Sequence, residues 1–580
     1  MNKIYKVLLF GVTLLATHLM GEAQIIRMTT IAQVGSSMSF NLAAAEDNTK
    51  ASIDWGDGNF QEYTIGQAFT EPRGEIKGEN IVIKGDVRRF NCTASKLKSL
   101  DVSECPKLEV LMAGFNYLTE QISFAKNTEL LNLELFQNNL KGIDISNCTK
   151  LQRLVISANF LSEVEVTQCP DLDYLDCARM SKITRLDLSK NSKLKSLTIT
   201  DCAISDLKLP ASAPLTEMLL AGNKLTKLDL SAFNKLSNLD CSKNSQLETL
   251  TLNAPELTQL LVMETKVTDI NLANSPLLEY LMLTGSNQLQ RVTYPSNPNI
   301  KDLGLSKCNF SQLDLSMMSK LEQLWCNENP NLVSLDVSGC PSLKSLAAKK
   351  GALTSIKLPR GENKLESLHL ANNLLAQIDL TGLSALKVLD LGSNQLKALK
   401  TTDCVSLEQL NLNTNDIHSL SLTFNKKLNK LGIVGNKMTS QELNAVYEEL
   451  PQLAKKPGTV NLYNGAKNDF AAQCSNTDLA EGRNWNPQIK GDASGKDIDA
   501  IDGIERSACY FAITPDAITL CGMELNGLVQ YFALDGSLIY SAQVKGNNPQ
   551  LVMPTKGSYL AVYTDQRSGE KVLTKLYISK

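Results

Sequence analysis

The sequence predicts an α/β-type solenoid dominated by β-structure, and three observations support this fold class. The pattern Leu-x-x-Leu-x-Leu-x-x-Asn returns every 21 or 22 residues, as in residues 386–394 and 407–415. Its first position occurs 17 times without a gap, from Val87 to Leu428. The 580 residues are 43% hydrophobic and 21% charged, which is enough apolar material to pack a core along such an array.

Each repeat carries two apolar alternations. Positions 0, +3 and +5 are apolar, which is typical of a short strand that turns alternate side chains inward. Positions +10, +13 and +15 repeat this alternation on an opposite wall, often as Leu-x-x-Leu-Asp-Leu-Ser. Because one repeat cannot close its own core, stacked neighbours must supply the stability. The array resembles the leucine-rich repeat family, in the short 21-residue form of the internalins, which implies an arc of 17 short repeats.

Position +8 is asparagine in most repeats. A buried amide there can donate to and accept from the backbone of the adjacent turn, and it satisfies groups that would otherwise cost about 1–3 kcal/mol each. Cys202 and Cys308 take this position in two further repeats. We therefore predict a structural ladder at Asn116, Asn138, Asn159, Asn223, Asn244, Asn329, Asn373, Asn394, Asn415 and Asn436.

The chain has 14 cysteines, and those from Cys92 to Cys404 fall on three offsets of the repeat. This regularity indicates small core residues rather than a disulfide framework. Cys148 and Cys169 occupy the same offset in adjacent repeats, where the geometry of a disulfide is conceivable. We otherwise predict reduced, buried thiols nearly throughout, and the repeat does not place Cys474, Cys509 and Cys521.

Other segments flank the array. Residues 1–23 combine two lysines, an apolar run and a small-x-small cleavage site, which predicts a secretory signal peptide. Residues 24–86 contain short alternating strands around Asp57-Gly58 and predict an N-terminal β cap domain that covers the edge of the first repeat. We expect the leucine-rich repeat domain, with its C-terminal capping helices, to span 87–489 and a polar linker to span 490–503.

One motif in the cap leaves two interpretations open. Residues 53–58 look like a turn of polycystic-kidney-disease-like β-sandwich domains, with a departure in spacing. The motif is either a Ca²⁺ site at Asp54 and Asp57 or a structural turn with Trp55 in the core. We expect no other metal site and no cofactor, because His369 and His418 are the only histidines after the predicted signal peptide.

Residues 504–580 return to strands and predict a small β-sandwich. The ending, with Lys556-Gly-Ser-Tyr-Leu-Ala-Val before a basic, β-rich terminus, is similar to the C-terminal sorting domains of the type IX secretion system of Bacteroidota. The usual opening of that family appears only as Thr514-Pro-Asp-Ala517. The resemblance implies a protein that is secreted or held at the outer-membrane surface of a Gram-negative bacterium, and recognition of this domain at the outer membrane.

Function is expected on the concave face, at positions +2, +4 and +6. Large apolar side chains there predict a protein-binding surface, although single exposed hydrophobic residues are also normal. Asp176, Asp240, Asp302 and Asp390 on this face either frame the surface or only keep the protein soluble. The predicted binding residues are Tyr174, Leu219, Leu261, Met263, Tyr280, Met282 and Trp325.

Two classes of function compete. The resemblance to internalins implies an adhesin or receptor-recognition module with an extracellular protein partner, for example on a host surface. Glycan binding by Tyr174, Tyr280 and Trp325 in nutrient capture is the alternative. We expect no enzyme, because the chain lacks G-x-S-x-G, H-E-x-x-H and glycine-rich phosphate motifs. The balance of 58 basic and 61 acidic residues disfavours nucleic acid, and no later segment is apolar enough to span a membrane.

Overall fold

The computed structural model describes residues 24–119, 121–454, 456–461 and 475–488, together with strands between residues 510 and 578. The predicted signal peptide, the linker, Cys474 and Cys509 lie outside the described residues. The chain divides into two compact units, Met1–Pro298 and Asn299–Lys580, here called the first unit and the second unit. Both contain leucine-rich repeats, and the fold is a β-dominated solenoid with few helices.

The first unit begins with antiparallel strands. Asn41–Ala43 pairs with Arg89–Asn91, the strand of the first repeat, and thereby covers its edge. A separate pair is formed by Ser37–Ser39 and Arg73–Glu75. One larger sheet has the strand order Phe60–Ile65, Thr49–Asp54, Asn80–Gly85, Ile25–Thr30 and Leu97–Glu104. Its last strand belongs to the first repeat, so the sheet connects the residues before the array to the array itself.

Each repeat of the first unit contributes a strand at positions +2 to +4. Adjacent strands are parallel and in register, as Leu133 is with Leu154. The middle residue of every strand is fully buried, so the residues on either side of it point to the opposite face, which we call the sheet face. The strands are Arg89–Asn91, Val110–Met112, Asn132–Glu134, Arg153–Val155, Tyr174–Asp176, Ser196–Thr198, Glu217–Leu219, Asn238–Asp240, Gln259–Leu261 and Tyr280–Met282.

The second unit repeats this arrangement with its own parallel strands. They are Asp302–Gly304, Gln323–Trp325, Ser345–Ala347, Ser367–His369, Val388–Asp390, Gln409–Asn411, Lys430–Gly432, Gly458–Asn461 and Trp485–Gln488. Helix Ser440–Glu449 follows the last repeat, and a short helix, Asp478–Glu481, precedes the last strand. Thr439 and Glu442 form the capping box of the longer helix, because each side chain accepts a hydrogen bond from the backbone N–H of the other residue.

The opposite wall is less continuous, because its short strands associate only in parallel pairs. In the first unit the pairs are Ile122–Ser123 with Ile143–Asp144, Arg185–Asp187 with Asp206–Lys208, Lys227–Leu230 with Thr249–Leu252, and Asp269–Asn271 with Arg291–Thr293. In the second unit they are Ser334–Asp336 with Ser355–Lys357, and Ala398–Leu399 with Ser419–Leu420. The long sheet is therefore the wall that connects successive repeats within each unit.

The asparagines at +8 bond successive turns together. Asn159 Nδ2 donates to the carbonyl oxygens of Leu135 and Ile156 at 2.9 Å, and its Oδ1 accepts from the N–H of Leu140 at 3.0 Å. The amide thus bonds its own repeat to the preceding one. The same donor and acceptor pattern is present at Asn116, Asn138, Asn223, Asn244, Asn329, Asn373, Asn394, Asn415 and Asn436.

The residue before the ladder, at +7, adopts a left-handed backbone in each repeat of both units. Ala158 has φ 56° and Ser393 has φ 54°, while glycine occupies this position only at Gly222, Gly285 and Gly435. This conformation costs an L-residue roughly 1–2 kcal/mol. Stacking offsets the cost, since the +7 N–H donates to the next repeat, as Ala158 does to the carbonyl of Ala178 at 2.8 Å.

The cysteines from Cys92 to Cys404 are buried thiols. Burial is the main cause that raises the pKa of Cys148 to about 12 and that of Cys169 to about 11. A second set of asparagines shares the corner at position −3 with five of the cysteines. Asn127 and Asn191 donate to the carbonyl oxygens of Cys105 and Cys169 at 2.7 and 2.8 Å, so this corner also bonds successive repeats together.

The C-terminal segment forms two antiparallel sheets. One has the order Tyr510–Ile513, Ile518–Cys521 and Gln550–Leu551. The other has the order Leu538–Gly546, Leu525–Ala533, Gly557–Asp565 and Lys571–Ile578. Val529 and Tyr531 are fully buried in the second sheet. Over the described part of the chain, no helix has the length and hydrophobicity needed to cross a membrane.

Candidate recognition surface

The first unit contains six of the seven predicted binding residues, but they are less exposed than outward-pointing side chains on an open face would be. Met282 is only 8% exposed. Strands lie about 4.8 Å apart, so side chains at equivalent positions cover one another, as the in-register pair Leu261 and Met282 shows. The half-buried members of the set are Tyr174, Leu219, Leu261, Met263 and Tyr280.

These residues do not form one continuous apolar row. Asp240 lies in register between Leu219 and Leu261. Its Oδ1 accepts a hydrogen bond from the N–H of Ser242 at 2.9 Å. The carboxylate therefore supports the turn after its own strand and divides the apolar row into one part at Leu219 and another at Leu261 and Met282.

Tyr174 is engaged by a neighbouring cation. The guanidinium of Arg153 lies 3.7 Å from the centre of the Tyr174 ring. Arg153 Nε also donates to Glu134 Oε1 at 3.0 Å, which holds the guanidinium in place. One face of this tyrosine is therefore covered within the protein, and Tyr174 is a poorer platform for a sugar than the sequence suggests.

Among the described residues of the first unit, the most exposed aromatic side chains lie after the strands, and the sequence did not predict them as binding residues. Phe115 is 50% exposed, Tyr117 49% and Phe160 54%. Phe115 packs edge-on against Phe136 with 5.1 Å between the ring centres. Gly114 permits this, because a Cβ there would come within 2.5 Å of the Phe136 ring. We call Phe115, Tyr117, Phe136 and Phe160 the aromatic rim.

The second unit contains the seventh predicted binding residue. Trp325 is half-buried and lies in register with Gly304 on one side and Ala347 on the other. The same row continues through His369, Asp390 and Asn411. The large indole therefore has a small residue on each side, whereas the residues beyond Ala347 are polar.

A polar network follows Trp325 along this row. The Asp390 carboxylate is 5% exposed, and its Oδ1 accepts from Asn411 Nδ2 at 2.8 Å and from the N–H of Gly392 at 3.3 Å. Its Oδ2 lies 3.5 Å from Lys349 Nζ and 4.0 Å from His369 Nδ1. His369 Nε2 is 2.8 Å from Ser367 Oγ. We call Ser367, His369, Asp390, Asn411 and Lys349 the polar network.

Three members of the network have the identities of a nucleophile, a base and an acid. Ser367 Oγ and His369 Nε2 lie at hydrogen-bond distance. The 4.0 Å between His369 Nδ1 and Asp390 Oδ2 is an ion-pair distance, not the hydrogen bond that orients the imidazole in serine hydrolases. Asp390 therefore does not orient His369 as the acid of a serine hydrolase orients its imidazole.

Three of the four acidic residues on this face accept hydrogen bonds from the turn after their own strand. Asp176 accepts from the N–H of Ala178 and from Ser157 Oγ, both at 3.1 Å. Asp240 and Asp390 make the equivalent bond to the residue two positions later. Asp302 is half-buried in the first strand of the second unit. An acidic residue at +4 therefore stabilises the turn, a role that the repeat pattern did not reveal.

The acidic motif of the cap has the contacts of a structural turn. Asp54 Oδ1 accepts from the N–H groups of Gly56, Asp57 and Gly58 at 2.9 to 3.1 Å. A 2.7 Å contact with Lys77 is the main cause that lowers the pKa of Asp57 to about 2. Trp55 is 3% exposed and stacks on Phe40. Among the described residues, no group of three or more His, Cys, Asp or Glu side chains could hold a metal ion.

Comparisons with known proteins place the chain among leucine-rich repeat structures. No family model matches it, and no curated protein does. It is similar to a domain of InlJ from Listeria monocytogenes that includes a cysteine ladder, with 18% identity over 87% of this chain and 94% of that chain and a TM-score of 0.48. It is also similar to YopM from Yersinia enterocolitica, with 20% identity, coverage of 65% and 91%, and a TM-score of 0.39.

A third similar structure is the ectodomain of the plant receptor kinase GASSHO1/SCHENGEN3 from Arabidopsis thaliana, solved in complex with CASPARIAN STRIP INTEGRITY FACTOR 2. Its identity is 17%, its TM-score is 0.37, and the match covers 67% of this chain and 56% of that chain. Internalins and other leucine-rich repeat proteins are thus the structural neighbours of this chain.

Proposed function

We propose that the protein is an exported recognition module that binds an extracellular protein partner, as an adhesin or receptor-binding protein, through the first unit. One observation carries the proposal: Phe115, Tyr117 and Phe160 expose 50%, 49% and 54% of their surface within neighbouring repeats. Tyr117 and Phe160 occupy the same position two repeats apart, which places them about 10 Å from each other along the array. Exposed apolar patches with a polar surround are typical of protein interaction sites.

The half-buried apolar residues of the sheet face form a second apolar area in the same unit. Phe136 lies two residues after the strand Asn132–Glu134, so the aromatic rim borders the C-terminal ends of the strands. Leu261 and Tyr280 add apolar area on the strands themselves. Aromatic side chains dominate binding energy at interfaces because they bury much area at a small cost in conformational entropy. The sheet beneath them is rigidly paired, which keeps the cost of ordering the surface low.

A binding screen tests this proposal. The full chain would be tested against an array of extracellular proteins, beside a rim variant with Phe115→Ser, Tyr117→Ser and Phe160→Ser. We expect the rim variant to lose at least about tenfold in affinity for a partner that binds the wild type. A matched control replaces three equally exposed hydrophobic residues of the second unit, Met317→Ser, Leu374→Ser and Phe424→Ser, which are 55%, 45% and 54% exposed.

Two outcomes would contradict the proposal. Equal binding by the wild type and the rim variant would show that the aromatic rim is not the binding site. Loss of binding in the control variant would show that any exposed hydrophobic residue contributes, or that the second unit holds the site. Circular dichroism and thermal unfolding of each variant establish that the substitutions leave the fold intact.

Export is part of the same proposal. The predicted signal peptide and the similarity of residues 504–580 to type IX sorting domains support an outer-membrane or secreted location. A variant ending at residue 503, expressed in a bacterium with a working type IX system, should accumulate inside the cell envelope, whereas the full chain reaches the surface or the medium. Equal export of both forms would remove the sorting role from the C-terminal segment.

A further inference from the structure

We propose that the second unit carries a binding site for a pyranose saccharide, centred on Trp325, Ala347 and His369. This site is distinct from the protein-binding surface of the first unit and does not depend on it. Three observations support this inference. Small and large side chains alternate along one row, polar groups lie at both ends of the position of Ala347, and the polar network holds those groups in place.

The row alternates between small and large residues. Ala347 lies in register between Trp325 on one neighbouring strand and His369 on the other. With strands about 4.8 Å apart, the two ring-bearing residues have Cα atoms roughly 10 Å from each other. Ala347 is 9% exposed, because the taller side chains on both sides shade it. Ala347 is therefore the low point of this row, with one ring-bearing side chain on each side, and we call this low point the slot.

Polar groups lie at both ends of this slot. On the side of position +2, Ser345 and Ser367 are in-register neighbours, and both are half-buried. On the side of position +6, Lys349 lies two residues after Ala347. Its backbone N–H donates to Asn327 Oδ1 at 2.8 Å, and its ammonium is 3.5 Å from Asp390 Oδ2. The slot therefore has a ring-bearing side chain on each side and polar residues at both ends.

The polar groups are held in place before a ligand arrives. His369 contacts Ser367 at 2.8 Å, and the Asp390 carboxylate, itself 5% exposed, lies between Lys349 and His369. The Lys349 and His369 side chains keep 22% and 28% of their surface exposed. Side chains that are already fixed but still reachable lose little freedom on binding, so their hydrogen bonds to a ligand contribute more to affinity.

A pyranose matches this distribution of groups. Its two ring faces are rich in C–H groups and pack against flat aromatic side chains, while its hydroxyl groups lie around the edge and both donate and accept hydrogen bonds. A ring inserted beside Trp325 would place its faces against the indole and the imidazole. Its hydroxyls would meet the hydroxyls of Ser345 and Ser367 at one end of the slot, while the ammonium of Lys349 is held 3.5 Å from Asp390 Oδ2, on the strand beyond His369.

Trp325 is also accessible from the side that faces away from Ala347. Gly304 lies in register on the far side of Trp325 and has no side chain to cover the indole. In the first unit, Tyr174 is covered by Arg153, and Tyr280 lies in register with the longer side chain of Gln259 and not with a small residue. Of the three aromatic residues that the sequence offered for glycan binding, the structure thus favours Trp325.

Tryptophan fluorescence gives a direct readout. The chain has three tryptophans, and Trp55 and Trp485 are 3% and 2% exposed, so the emission change on binding would come from Trp325. The full chain would be screened on an array of immobilised oligosaccharides and then titrated with soluble methyl pyranosides that match the retained glycans. We expect a shift or quenching of the emission and a saturable titration.

Two variants and one control test the site. Trp325→Ala removes one of the two ring systems beside the slot. Ala347→Leu fills the slot with leucine, which occupies the same repeat position at Leu219 and Leu261. Each should weaken saccharide binding at least about tenfold on the oligosaccharide array, a readout that does not depend on the emission of Trp325. Thr198→Leu adds similar bulk at the same position in the first unit and should leave saccharide binding unchanged.

Three results would overturn the inference. One is that no oligosaccharide is retained and no pyranoside changes the emission. Another is that Ala347→Leu binds a saccharide as well as the wild type does, which would show that the slot is not the binding site. The third is that Thr198→Leu weakens binding as much as Ala347→Leu. The aromatic-rim variant serves as a cross-check: loss of protein binding there with saccharide binding intact separates this inference from the proposed function.

Discussion

The two units have the same kind of interior and differ in the residues on the sheet face. In both units the middle residue of each repeat strand is buried leucine or a similar apolar residue, and the same asparagine ladder bonds successive turns. The first unit, however, presents a divided apolar row and the aromatic rim, while the second presents Trp325 beside the polar network. Because interior and face alternate along a strand, a repeat can change what it presents to solvent without changing what it packs.

The largest expected effect tests whether the interiors are equivalent. Leu154 and Leu324 are fully buried at the same position in the first and second units. Leu154→Ala and Leu324→Ala should each lower the free energy of unfolding by about 2–5 kcal/mol, since each leaves a cavity in a close-packed core. Urea denaturation measures the loss. Leu277→Ala and Leu374→Ala, at residues 50% and 45% exposed, are the controls and should change stability by less than about 0.5 kcal/mol. A large loss in only one unit would break the equivalence.

The ladder gives the next largest effect. Asn244→Ala in the first unit and Asn394→Ala in the second each remove an amide that donates to two repeats and accepts from one of them. We expect a loss of about 1–3 kcal/mol in each case, because buried backbone groups are left without partners. Thermal unfolding compares the two. If both variants were as stable as the wild type, the ladder would be a consequence of the fold and not a contributor to its stability.

The two cysteines at the ladder position allow the opposite change. Cys202 Sγ contacts the carbonyl oxygen of Cys177 at 3.3 Å, where asparagine makes its backbone bond in other repeats. Cys202→Asn in the first unit and Cys308→Asn in the second should raise the free energy of unfolding by about 0.5–1.5 kcal/mol, the net value of an added hydrogen bond. Cys202→Ser and Cys308→Ser are controls with a shorter side chain. A loss of stability on asparagine substitution would show that these two turns have adapted to the smaller residue.

Acid conditions give the smallest expected effect. Asp187 in the first unit and Asp336 in the second both have a pKa lowered to about 2, chiefly by the hydroxyls of Ser189 and Ser338. A lowered folded pKa means that the contribution is present above the unfolded value of about 3.9 and is lost as the pH falls towards about 2. Asp187→Asn and Asp336→Asn keep an acceptor but do not titrate, so each should lose slightly less stability than the wild type between those pH values. Urea midpoints at both ends of this pH range measure the difference. An equal change of the midpoint with pH in all three proteins would contradict the assignment of the lowered pKa values to these two carboxylates.

The sequence indicated the interior better than the surface for a physical reason. Inward positions such as Leu154 are constrained by packing and therefore repeat, so the period alone locates them. The aromatic rim was missed because Phe115 and Phe160 occupy positions outside the apolar alternation, in a turn whose left-handed +7 residue is usually not glycine. Sequence patterns normally signal that conformation through glycine, and here stacking between repeats sustains it without one.

By itself the sequence determined the period, the inward residues, the cysteine offsets and the asparagine ladder, because each follows from one repeat packing against its copies. Only the tertiary structure decided which outward side chains remain exposed, because exposure depends on the side chain about 4.8 Å away on the next strand. That neighbour covers Met282, leaves room beside Trp325, and brings Lys349, His369 and Asp390 together from three different repeats.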